Sequence, residues 1–103
     1  MDLIKASVKA YEIAEKRGQY KNNGRDVIEA LKHCAGEVLE ANEAYNDWAF
    51  LQADETLKEH FENELADIIV CVLSICGQEG INIEKALERV FEKNERRIQK
   101  GKK

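Results

Sequence analysis

The sequence predicts an all-α fold, a four-helix bundle completed by homodimerisation, and three observations carry that expectation. The 103 residues include no proline and 35% charged residues, a balance that suits helices better than strands joined by tight turns. Apolar residues recur at steps of three and four along most of the chain. Ile68 to Leu73 is apolar on every side, and four short helices in one chain offer too little surface to cover such a segment. A second copy of the chain, as a homodimer or a dimer of dimers, is the expected cover. The length suits one domain, residues 1–103.

Helix one is expected over Asp2 to Arg17, where Leu3, Ile4, Val8, Tyr11, Ile13 and Ala14 alternate with charged residues and Gly18 stands at the C-terminal end. Asn22-Asn23-Gly24 is a turn signal. Helix two follows with a stripe of Val27, Leu31, Cys34, Val38, Ala41 and Tyr45. Asn46 to Thr56 lacks a clear period yet holds Trp48, Phe50 and Leu51, so it reads as a loop folded over something. Helical spacing resumes near Leu57 and runs through Phe61, Leu65, Ile68 and Val72 to an end between Gly77 and Gly80. Asn82 is an N-cap residue for helix four, with Glu84 in its first turn, and Lys100 to Lys103 reads as a fraying tail.

Charge and apolar run lengths exclude several functions. A net charge of −4 repels nucleic acid and anionic lipid, so neither is an expected partner. Leu65 to Cys76 is interrupted by Asp67 and Ser74 and is shorter than the roughly 18 to 20 residues that span a bilayer. Cys34, Cys71 and Cys76 are odd in number and form no CxxC, which speaks against a disulfide framework or a structural zinc site and for reduced thiols in the cytoplasm. The first 20 residues lack the apolar stretch of an export signal.

Two acidic pairs point to chemistry. Glu37 and Glu40 stand three residues apart on helix two, and Glu64 and Asp67 repeat that spacing on helix three. A step of three rises about 4.5 Å and turns about 60° from alignment, so each pair can approach one ion. Asp67 lies inside an apolar run, where a carboxylate calls for a cation or a hydrogen-bond donor. A site of acids without histidine or cysteine suits magnesium, a hard ion that keeps waters and phosphate oxygens, with manganese able to substitute. Ala30, Ala41 and Ala44 flank Glu37 on helix two and read either as room for ions or as simple helix packing. His33 and His60 stand near the two pairs and read as surface or supporting residues.

Gly36-Glu37-Val38-Leu39-Glu40-Ala41-Asn42-Glu43, Glu64-Leu65-Ala66-Asp67-Ile68-Ile69 and Asn94-Glu95-Arg96-Arg97 resemble the motifs of the MazG-like all-α nucleoside triphosphate pyrophosphohydrolases, over roughly Leu31 to Arg97. The resemblance implies a MazG-like four-helix domain that converts a nucleoside triphosphate to the monophosphate and pyrophosphate. It implies magnesium on Glu37, Glu40, Glu64 and Asp67, phosphate contacts from Asn94 and Arg97, and Glu40 as the group that orients or deprotonates water. Where the family usually carries a lysine four residues before the motif asparagine, this chain has Val90, and Lys93 is the candidate substitute. The base is left open, with Trp48, Phe50, Tyr11 and Asn46 as candidates for a pocket. The competing reading is a non-catalytic helical homodimeric interaction module whose acids are surface features.

Overall fold

The computed structural model describes residues 1–18, 26–51 and 54–101. It contains four helices, α1 (Leu3–Lys16), α2 (Val27–Phe50), α3 (Glu55–Glu79) and α4 (Ile83–Gln99), and no strand among the described residues. The all-α expectation holds. The turn signal Asn22-Asn23-Gly24 lies outside the described residues.

Each helix starts on a side chain that accepts from the free amides of its first turn. Asp2 accepts from Ile4 and Lys5, Asp26 from Ile28, Asp54 from Leu57 at 2.8 Å, and Asn82 from Lys85. The Asp54 cap moves the start of α3 ahead of Leu57, and α2 runs on through Asn46 to Phe50, so most of the expected loop is helix. Its missing period has a physical cause. Phe50 is 77% exposed, and a helix end with no continuous buried face shows no apolar stripe. Trp48 instead packs with Tyr45 and Phe61, ring centroids 5.3 to 6.1 Å apart, tying the end of α2 to the start of α3. Gly18 and Gly80 take positive φ just past α1 and α3, the conformation that closes a helix C-terminus.

The core is thin. α1 and α2 both pack on α3, burying Ala10, Ala14, Ala30, Cys34, Ala41, Ala44, Leu73, Ile75 and Cys76. Ala30, Cys34 and Ile75 form one cluster across α2 and α3. The burial of Ala30, Ala41 and Ala44 accords with their reading as close helix packing. Leu31 and Val38, placed on the core stripe by periodicity, are 56% and 51% exposed, because α2 turns its small residues toward α3. Gly77 allows α1 its approach to α3: a Cβ there would collide with the Ser7 carbonyl and stand 2.8 Å from Tyr11 Cβ.

α4 departs from the expected bundle. The chain turns by 118° between α3 and α4, and α4 packs lightly on α1 without forming an interface with α2 or α3. A polar link holds this corner, from the Leu3 amide to Glu84 Oε1 at 3.0 Å. The radius of gyration is 16.4 Å, against about 13 Å for a compact chain of about 100 residues. Ile69, Phe91 and Ile98 remain 57%, 61% and 76% exposed. No single helix among the described residues is long and apolar enough to cross a membrane.

Candidate metal centre

Packing of α2 on α3 brings three of the four predicted carboxylates together. One oxygen from each of Glu37, Glu40 and Glu64 lies within 4.8 Å of the others. Glu37 and Glu64 are held by the interface, each side chain 14% exposed, while Glu40 faces solvent. Each partly buried glutamate has a histidine one turn before it: His33 Nε2 lies 3.3 Å from Glu37 Oε1, and His60 Nε2 lies 3.8 Å from Glu64 Oε1. The histidines thus flank the cluster as supporting residues, in line with the i, i+4 geometry of a helix.

Glu37 sits among anions that its neighbouring histidine only partly offsets. Burial foremost, and then the Glu40 carboxylate, push the Glu37 carboxyl above its ordinary value. His33 opposes the shift, and Asp67 and Glu64 add to it. Glu64 Oε2 is buried and has no hydrogen-bond partner among the described residues, a costly state for a carboxylate oxygen. An oxygen-only set of acids with an orphaned buried oxygen fits a hard divalent cation.

Asp67 is placed differently from the expectation. It is exposed, as are its neighbours Leu65, Ile69 and Val70, because the apolar run of α3 is only partly covered within one chain. Asp67 stands outside the three-carboxylate group but lines a cleft of about 210 Å³ with Glu37 and His33, walled by Ala10 and Ala14 of α1 and by Arg17 just past its end. Arg17 was not a candidate from sequence, since a charged residue at a helix end next to a glycine signals a terminus and nothing more. Tertiary packing alone carries it to the acids.

Lys93, Asn94 and Arg97 are exposed on α4, and the chain does not bring them to the carboxylates, because α4 swings away from α2 and α3. The base-pocket candidates do not assemble either. Trp48 packs on Phe61 while Tyr11 packs beside Gly77, 16 residues further along α3 and thus about 24 Å away along its axis. Asn46 and Phe50 face solvent.

A family model described as the MazG nucleotide pyrophosphohydrolase domain matches residues 24–101, which takes in both acidic pairs and α4. No curated protein and no solved structure gives a significant match.

Proposed function

Since the chain belongs to the MazG nucleotide pyrophosphohydrolase family, we propose that it hydrolyses a nucleoside triphosphate to the monophosphate and pyrophosphate, with magnesium held by Glu37, Glu40, Glu64 and Asp67. The observation that carries this reading is the convergence of Glu37, Glu40 and Glu64, with a buried Glu64 oxygen that has no hydrogen-bond partner among the described residues. Magnesium, or manganese in its place, supplies a dication that offsets triphosphate charge and lowers the pKa of water. Glu37 and Glu64 orient the site from the helix interface, and Asp67 reaches it from the cleft. Glu40, exposed beside them, accepts the proton of the attacking water as one P–O bond of the anhydride bridge breaks and one to the water oxygen forms.

Residues 1–103 act together in this reading: α1 lies wholly before the matched segment, yet it walls the cleft and sets Arg17 at its edge, a cation for an anionic substrate. Lys93, Asn94 and Arg97 serve the triphosphate in an assembly that returns α4 to a carboxylate cluster, which the exposed apolar residues of α3 and α4 support. Such an assembly is a homodimer or a dimer of dimers. The setting proposed is the cytoplasm, with nucleotide-pool housecleaning as the role.

The interaction-module reading draws on the same exposed apolar faces and treats the acids as bystanders. A panel of standard and modified deoxynucleoside triphosphates separates the two. The proposal expects magnesium-dependent release of pyrophosphate and monophosphate from at least one of them. Orthophosphate with a nucleoside diphosphate as sole products, or no turnover on any, contradicts it.

A further inference from the structure

Glu37 belongs to a second set of neighbours that the magnesium reading does not use. His33 Nε2 is 3.3 Å from Glu37 Oε1, and Cys71 on α3 completes a group whose nitrogen, oxygen and sulfur all lie within 4.8 Å of one another. All three residues line the cleft walled by α1, so the set opens on space for a further ligand such as water. Its donors differ in kind from those of the carboxylate cluster. Magnesium takes oxygen, whereas imidazole and thiolate are the ligands of zinc and cobalt. Three protein ligands with one open position is a frequent zinc arrangement, and tetrahedral bonds of about 2.0 to 2.3 Å set ligand atoms roughly 3.5 Å apart. The His33 to Glu37 distance already meets that spacing, and the Cys71 sulfur lies within 4.8 Å of both.

We propose that His33, Glu37 and Cys71 form a transition-metal site for zinc(II) or cobalt(II), and that its occupation switches off turnover by drawing Glu37 away from the magnesium cluster. The inhibitory half of this inference rests on the pyrophosphohydrolase reading; the binding half does not. On binding, metal bonds form to sulfur, nitrogen and oxygen, and the thiol proton of Cys71 leaves to solvent. Because Glu37 is shared while Cys71 is not, the thiol distinguishes this site from the carboxylate cluster.

The test is titration of the full chain with cobalt(II), without magnesium and under reducing conditions that leave free cobalt in solution. The wild type is expected to develop the intense near-ultraviolet thiolate-to-cobalt charge-transfer band, saturating at one equivalent per chain. Cys71→Ser is expected to lose the band, and His33→Gln to weaken cobalt binding by at least about tenfold. Glu40→Gln, outside the set, keeps it. At fixed magnesium, the zinc concentration that halves each protein's own zinc-free turnover is at least about tenfold higher for Cys71→Ser than for the wild type. Absence of the band in the wild type, or its persistence in Cys71→Ser, overturns the site whatever the activity. Equal zinc inhibition of the wild type and Cys71→Ser overturns the switch. If no nucleotide is turned over, the hydrolase reading and the switch fall, and the cobalt band still decides the site. Should Cys71→Ser fail to fold by circular dichroism, the exposed His33 carries the test, and undiminished cobalt binding in His33→Gln overturns the site.

Discussion

Replacing Glu64 by glutamine removes one charge from the acidic cluster and keeps its shape. Two full charges 4.8 Å apart, the outer separation of the ligand oxygens, repel by about 0.9 kcal/mol in water and about 3.5 kcal/mol at an effective dielectric of about 20. The larger figure suits the partly buried Glu37, though a raised carboxyl pKa means a smaller average charge there; the smaller figure suits the exposed Glu40. The substitution also removes a buried charge whose Oε2 has no partner among the described residues. Glu64→Gln is therefore expected to stabilise the metal-free protein by roughly 1 to 3 kcal/mol, a rise in melting temperature of several degrees or more for a chain of this length. Magnesium acts in the opposite sense on the pair. At about 100 times its Kd, a ligand bound to the folded state alone adds about 2.7 kcal/mol, so the wild type gains from magnesium while Glu64→Gln gains little. Calorimetry of both proteins at one protein concentration, with and without magnesium, gives the four melting temperatures needed. A metal-free Glu64→Gln that melts below the wild type, or one that keeps the full magnesium response, refutes the reasoning.

Four other outcomes are expected. Asp67→Asn should lower magnesium-dependent turnover by at least about tenfold while moving the metal-free melting temperature by the equivalent of less than about 0.5 kcal/mol, since Asp67 is exposed; steady-state kinetics beside thermal melts check it. The raised Glu37 pKa makes the unfolded chain ionise first, so its contribution to metal-free stability should decline as pH rises from the ordinary carboxyl value of 4.5 through the raised value. Urea melts across that window read the decline, and saturating magnesium should reverse it at the upper end. Gly77→Ala should cost about 1 to 3 kcal/mol by pushing α1 off α3 at Ser7 and Tyr11, read as a lower urea midpoint; an unchanged midpoint would show that α1 yields freely. Ile69→Glu, on the exposed apolar side of α3, should convert the proposed assembly to monomer by sedimentation, and a wild type that is itself monomeric at micromolar concentration removes the assembly.

Much of the molecule was legible because its determinants are local. The capping residue Asn82, the glycines at helix ends and the three-residue spacing of each acidic pair all act within a few residues, so helix identity and the pairing of Glu37 with Glu40 follow from the helical repeat itself. The Asp54 cap was equally local and was hidden by the apolar residues just before it. Placement between elements was a different matter. Periodicity gives the angle of each side chain about its own helix and nothing of the crossing between helices, so its stripe placed Cys34 and Ala41 in the core correctly but added the exposed Leu31 and Val38 and left out Ala30 and Ala44. The same gap made Asp67 look buried, since an apolar run says what wants cover and not whether the chain supplies it. Only the packing of α2 on α3 selects Glu37, Glu40 and Glu64 as the converging acids and brings Cys71 beside His33, and only the packing of α1 on α3 carries Arg17 to the cleft. The 118° turn before α4, which leaves α4 resting lightly on α1, separates Lys93, Asn94 and Arg97 from the acids that the family resemblance placed with them. Local chemistry determines which residues stand on one helix; which residues meet across helices is decided by the small buried side chains that set how closely, and at what angle, those helices pack.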